Sequence, residues 1–87
     1  MYQVICEVIN QKGMHARAAA KIVALVDQFG GEVTLSHGDR SAPGNSLIKL
    51  LTLNAPIGSK IEISYANLAQ QPLVDELVKL FAEGFGE

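Results

Sequence analysis

The sequence predicts an α+β fold: an open-faced β-sandwich of order β-α-β-β-α-β-α, with three helices covering one face of a four-stranded antiparallel sheet. Two observations carry that prediction. The apolar period switches repeatedly between two and about 3.6 along the 87 residues, so strands and helices interleave. Glycines and prolines fall at the switches, which keeps every element short.

Tyr2, Val4, Cys6 and Val8 alternate with Gln3 and Glu7, while Ile5 and Ile9 lie on the second face, so the opening reads as a strand covered on at least one side. Asn10 to Gly13 form a loop. From Ala16 to Phe29 the apolar residues Ala19, Ile22, Val23, Val26 and Phe29 recur at helical spacing, and Gly30-Gly31 supplies a left-handed stop. Val33 and Leu35 alternate with Glu32, Thr34 and Ser36 as a second strand. The His37-Gly38-Asp39 turn leads to a short third strand near Arg40 to Ala42, which Pro43-Gly44 ends. A second helix is expected from Ser46 to about Leu53. After a loop closed by Gly58, Ile61, Ile63 and Tyr65 alternate with Lys60, Glu62 and Ser64 as a fourth strand. The last helix carries Leu73, Val74, Leu77, Val78, Leu80 and Phe81. Pro72 sits in its first turn and Gly84 stops it, with Phe85 expected to fold back on the final turn.

A chain of this length buries roughly 60 to 65% of its unfolded surface in one small core, so one domain is expected. Hydrophobic residues make up 48% of it. No apolar run approaches the roughly 20 residues of a membrane span, and the opening lacks a basic segment followed by an apolar one. A cytoplasmic protein without membrane insertion is the default. Cys6 is the lone cysteine, which leaves no internal disulfide or multi-cysteine metal site. The formal net charge of -2 argues against a nucleic-acid binder, and partners are expected among proteins or small molecules.

Of two histidines and two arginines, one of each falls in Gly13-Met14-His15-Ala16-Arg17, at the junction of the first strand and first helix. The first amides of a helix have no partner within it, and the macrodipole places about half a positive charge there. With His15 at the N-cap or one residue from it, a phosphoryl group on its ring would meet the free amides of Ala16 and Arg17. The Arg17 guanidinium suits phosphate oxygens. The same positive end disfavours imidazolium, leaving a neutral ring with a lone pair for nucleophilic attack. The bland alternative is a polar surface histidine beside a solvated arginine, and spacing alone does not decide between the two. His37 reads as a surface histidine with no second ligand at metal spacing, and Lys12, Lys21 and Lys60 as solvated side chains.

On the second helix, Leu47, Ile48 and Leu51 share an arc of about 100°, with Leu50 and Leu53 on an opposite arc. A helix lying on one sheet needs to bury only one of these. Ser46 is a good N-cap for the helix.

Gly-Met-His-Ala-Arg followed by small residues and Lys21 closely resembles the active-site signature of the HPr-like phosphocarriers of the phosphoenolpyruvate-dependent phosphotransferase system. The element order, the stretch NSLIKLLTLNAPIGSKIEI and the ending LVKLFAEGFGE extend the likeness over residues 1–87, read as one HPr-like domain. The GMHAR core, the Asn45-Ser46 start of the second helix and the Gly84-Phe85 pair look most like the nitrogen-related NPr branch. The resemblance implies a carrier that takes a phosphoryl group on His15 from Enzyme I and passes it to an Enzyme IIA-type acceptor, as a stoichiometric monomer without cofactor or metal. It implies phosphate stabilisation by Arg17, and docking of partners on Leu47, Ile48 and Leu51 within a positive rim that includes Lys49. It also makes Ser46 a candidate regulatory phosphosite, although Leu47 to Leu51 do not closely match the kinase-regulated context. One departure stands out: family members usually carry proline after the arginine, where this chain has Ala18. Sugar and nitrogen branches are not separable on these residues. The competing class is a small-molecule-binding or protein-binding regulatory α+β domain without phosphoryl transfer, in which His15 is incidental.

Overall fold

The computed structural model describes all 87 residues. β1 runs Tyr2–Glu7, α1 Ala16–Phe29, β2 Thr34–His37, β3 Arg40–Pro43, α2 Leu47–Leu51, β4 Lys60–Tyr65 and α3 Gln71–Ala82. Two short 3-10 turns that the periodicity did not show, Leu68–Gln70 and Gly84–Gly86, flank α3. The strands form one antiparallel sheet of order β1-β4-β2-β3.

Register divides the sheet into two unlike faces. Val4 opposes Ile63, Cys6 opposes Ile61, and Leu35 opposes both Ala42 and Ile63, so these side chains point together toward the helices. They join Ile22, Val26, Leu50, Leu53, Leu73, Leu77 and Phe81 in one core. The other face pairs Ile5 with Glu62 and Glu7 with Lys60, whose ammonium lies 2.6 Å from the carboxylate. That face has no helical cover. It therefore takes the polar half of each alternation, with Ile5 and Ile9 left exposed.

Local chemistry sets the boundaries. Gly30, at φ 72°, closes α1 by donating its N–H to the Val26 carbonyl. Phe29, the last residue of α1, is exposed. α2 ends two residues earlier than its periodicity predicts: Thr52 caps it, and Leu53 reaches the core from a turn rather than from the helix. His37 is half-buried, correcting its reading as a surface residue; its Nδ1 contacts the Leu53 carbonyl at 2.9 Å and ties the β2–β3 hairpin to the end of α2.

Phe85 folds back as expected. Its ring lies 4.9 Å from that of Phe81 and is fully buried, and this burial holds a φ of 58° that few non-glycine residues adopt. Lys21 is not a solvated side chain either. Its ammonium donates to the Phe85 carbonyl, fastening α1 to the turn that follows α3.

Candidate functional site

The loop between β1 and α1 is built from the backbone outward. Gly13 has a φ of 67°, and a Cβ on it would lie 2.5 Å from the Ala55 carbonyl oxygen, so only glycine fits. Met14 is buried beside it, and its N–H donates to that same Ala55 oxygen at 2.9 Å. With residues 13 and 14 pinned, His15 must emerge at the start of α1.

His15 is the N-cap, with extended backbone (φ -88°, ψ 179°). Its side chain does not cap the helix. The first helical bond runs from the Ala19 N–H to the His15 carbonyl at 2.9 Å, so the amides of Ala16, Arg17 and Ala18 have no carbonyl acceptor. The helix end with unpaired amides thus begins directly after His15. Ala16 is exposed, and Ala18 is fully buried against the core.

The ring itself is held otherwise than the sequence predicts. Its side chain is 25% exposed, and each nitrogen faces an oxygen. Nδ1 lies 3.1 Å from the Gly13 carbonyl, and Nε2 lies 2.6 Å from Glu87 Oε2. The carboxylate sits off the direction in which an Nε2 proton would point, so this contact is electrostatic rather than a well-aligned hydrogen bond. In this conformation both ring nitrogens face an oxygen and Nε2 is shielded from solvent, so the ring does not stand open. Arg17 is exposed and makes no hydrogen bond or ion pair, so its guanidinium is not held against the ring.

Two residues that sequence reasoning missed complete the surroundings. Asn10 is buried and donates through Nδ2 to the Gly13 carbonyl at 2.8 Å and to Glu87 Oε1 at 3.2 Å. Its own Oδ1 has no partner. An asparagine opening a glycine-containing loop is a turn signal that could have drawn attention to Asn10. Glu87 lies 77 residues away in sequence and gives no local signal.

On α2 the two arcs separate only in part, because Leu51 packs against the core. Leu50 is fully buried, whereas Ile48 is 70% exposed, Leu47 and Lys49 are exposed, and Leu51 is half-buried against the core. Ser46 caps the helix: its Oγ accepts from the Lys49 N–H at 3.3 Å. α2 packs beside α1, so the apolar patch and His15 belong to neighbouring elements. No group of three or more histidine, cysteine, aspartate or glutamate side chains is placed to hold a metal ion, and no helix is long and apolar enough to cross a membrane.

A helix start with three unpaired amides, following a histidine in the N-cap position on an open-faced α+β sandwich, is the kind of surface that can hold an anion. A family model described as "PTS HPr component phosphorylation site" matches residues 3–83. The chain is 38% identical over 79 residues to phosphocarrier protein NPr of Proteus mirabilis, covering 90% of this chain and 88% of that one. It is 35% identical over 80 residues to phosphocarrier protein HPr of Cupriavidus necator, covering 92% and 90%. The crystal structure of HPr-C-His from Thermoanaerobacter tengcongensis superposes with a TM-score of 0.90 at 25% identity, covering 100% of this chain and 98% of the other. The chain belongs to the HPr family, as a phosphocarrier of the HPr/NPr type in the phosphotransferase system.

Proposed function

We propose that His15 is the phosphoryl acceptor, charged by Enzyme I and discharged to a histidine on an Enzyme IIA-type protein. The observation that carries this reading is the position of His15 at the N-cap of α1, where three backbone amides lack partners, within a chain matched almost throughout by a phosphorylation-site family. In the charging step a lone pair on an imidazole nitrogen of His15 attacks phosphorus in line. The nitrogen–phosphorus bond to the donor breaks, and its electron pair returns to the donor ring. Such a transfer needs positioning and charge neutralisation more than acid–base chemistry from the carrier. The amides of Ala16 and Arg17 solvate the phosphoryl oxygens, and the exposed guanidinium of Arg17 turns to them once there is an anion to bind.

Leu47, Ile48 and Leu51 form the docking patch, and Lys49 and Arg17 its positive rim, suited to partners with acidic borders. A phosphate on Ser46 would be welcome at a helix start but would put negative charge into that rim, weakening docking. The protein works in the cytoplasm as a monomer that shows one face to successive partners. It is a substrate regenerated on each cycle rather than a free-standing catalyst. Relatives bear both HPr and NPr names, so the acceptor belongs to either the sugar or the nitrogen branch.

The test is incubation with Enzyme I and labelled phosphoenolpyruvate. Acid-labile, base-stable label is expected on the wild type and absent from His15→Ala. No label with a competent donor, or label that survives that substitution, overturns the assignment.

A further inference from the structure

We propose that His37 and Arg40 are positioning residues for phosphoryl transfer: from the β2–β3 hairpin they hold the turn that joins α2 to Ala55, and so fix the docking patch and the His15 loop relative to each other. The inference rests on His15 being the acceptor and on α2 carrying the patch, and it adds two residues that touch neither the phosphoryl group nor the partner. His37 and Arg40 face each other across the two strands. His37 Nδ1 lies 2.9 Å from the Leu53 carbonyl oxygen, and Arg40 Nη1 lies 2.9 Å from that of Thr52. A carbonyl can only accept, so both side chains donate.

A helix of five residues, Leu47–Leu51, is too short to hold its own place. Its last carbonyls, those of Ile48 to Leu51, are closed by the N–H groups of Thr52, Leu53 and Asn54. Whatever fixes that turn therefore fixes the C-terminal end of α2. No backbone amide takes the Thr52 or Leu53 carbonyl, which leaves them to Arg40 and His37. Burial of the Leu53 side chain pins the same turn from the core side.

The turn also leads straight to the acceptor. Asn54, at a φ of 50°, connects it to Ala55, whose carbonyl takes the Met14 N–H at 2.9 Å and lies against Gly13. His15 is the next residue of that loop. One backbone run, Thr52 to Ala55, thus links the helix that receives a partner to the loop that receives the phosphoryl group. A partner seated on α2 must meet the His15 ring in line at the same moment, so the separation of patch and ring has to be set before it arrives. Loosening the hairpin's hold leaves patch and ring each intact and lets one shift against the other.

The test compares two donors. Phosphoramidate charges histidine without docking: the ring nitrogen bonds to phosphorus as the phosphorus–nitrogen bond of the reagent breaks and ammonia leaves. Enzyme I needs the patch and the ring together. With the carrier as varied substrate of Enzyme I, His37→Ala and Arg40→Ala are each expected to lower kcat about threefold and the double variant about tenfold, with KM held within about twofold. His37→Asn, whose amide nitrogen stands where Nδ1 does, should recover the wild-type kcat. The phosphoramidate rate should be the same in all of them, and the single variants carry the test should the double variant fail to fold. A wild-type kcat in folded variants overturns the role. A loss from Arg40→Ala that falls on KM alone also overturns it, since Arg40 would then be a direct partner contact. A fall in the phosphoramidate rate does the same, by placing the damage in the His15 loop. Label from Enzyme I on His15→Ala, or transfer at the wild-type rate by Ile48→Ala, marks instead a failure of the acceptor or of the patch.

Discussion

Gly13 lies directly against Ala55, so close that a Cβ on the glycine would stand 2.5 Å from the alanine carbonyl oxygen and 3.0 Å from the Pro56 Cα. Both obstacles are backbone and cannot rotate away. Gly13→Ala must move the loop or the 55–56 segment, and its φ of 67° adds a left-handed penalty. The expected loss is about 2–4 kcal/mol of stability. Because Met14 and His15 follow immediately, phosphohistidine formation should fall as well. Chemical denaturation and label incorporation measure the two effects, and a neutral result in both would mean that the close approach is not built as described.

The two arcs of α2 give opposite predictions from neighbouring residues. Leu50 is fully buried, so Leu50→Ala should lower stability by about 2–5 kcal/mol through the cavity it leaves. Ile48 is largely in solvent, and Ile48→Ala should change stability by less than about 0.5 kcal/mol. If Ile48 belongs to the docking patch, the same substitution should slow transfer from Enzyme I about tenfold, equivalent to roughly 1.4 kcal/mol of lost interface energy. Transfer at the wild-type rate by Ile48→Ala would remove that residue from the patch.

Which parts were legible in the sequence follows from which forces are local. The boundaries of α1 are set by the glycines that flank it and by its own apolar stripe, so the periodicity placed Ala16 and Phe29 correctly. On α2 the burial of Leu50 and the exposure of Ile48 were readable for the same reason, whereas the packing of Leu51 against the core and the length of the helix were not. Lys21 and His37 were misread because their partners, the Phe85 and Leu53 carbonyls, are supplied by distant turns. The contacts of His15 were missed on the same grounds. Helix-end physics describes the amides around it, but Glu87 arrives from the far end of the fold and its approach depends on Phe81, Phe85 and Lys21 together.

Cys6 tests the core-facing side of the sheet. Burial pushes its thiol pKa up, because the thiolate would lose solvation there. The native state therefore holds the thiol proton more tightly than the unfolded chain does. The resulting stability is fully present below the unfolded-state pKa and is lost as pH rises through the higher folded-state value. Cys6→Ala should accordingly flatten the alkaline limb of the stability curve relative to the wild type. Alkylation of native Cys6 at neutral pH should be slower than in the denatured chain. Equal alkylation rates in the two states would contradict its place in the core.

Ala18 occupies the third helical position of α1, where most relatives were expected to differ from this chain by carrying proline. Its amide lies before the first helical hydrogen bond, Ala19 N–H to His15 carbonyl, so a pyrrolidine ring would remove no bond. Proline there narrows the unfolded ensemble and restricts the backbone of Arg17, the residue before it. Ala18 is also fully buried, so the two added carbons have to fit beside the core. If they fit, Ala18→Pro should raise stability by about 0.4–1 kcal/mol, which for a domain of this size is a rise of about 2–8 °C in Tm. Phosphoryl transfer should hold or quicken, because a stiffer first turn reduces the range over which the Arg17 guanidinium searches for the anion. Calorimetry and the His15 labelling rate together decide the matter. A fall in both would show that the ring is excluded from the core and that alanine is required at this position for α1 to start where it does.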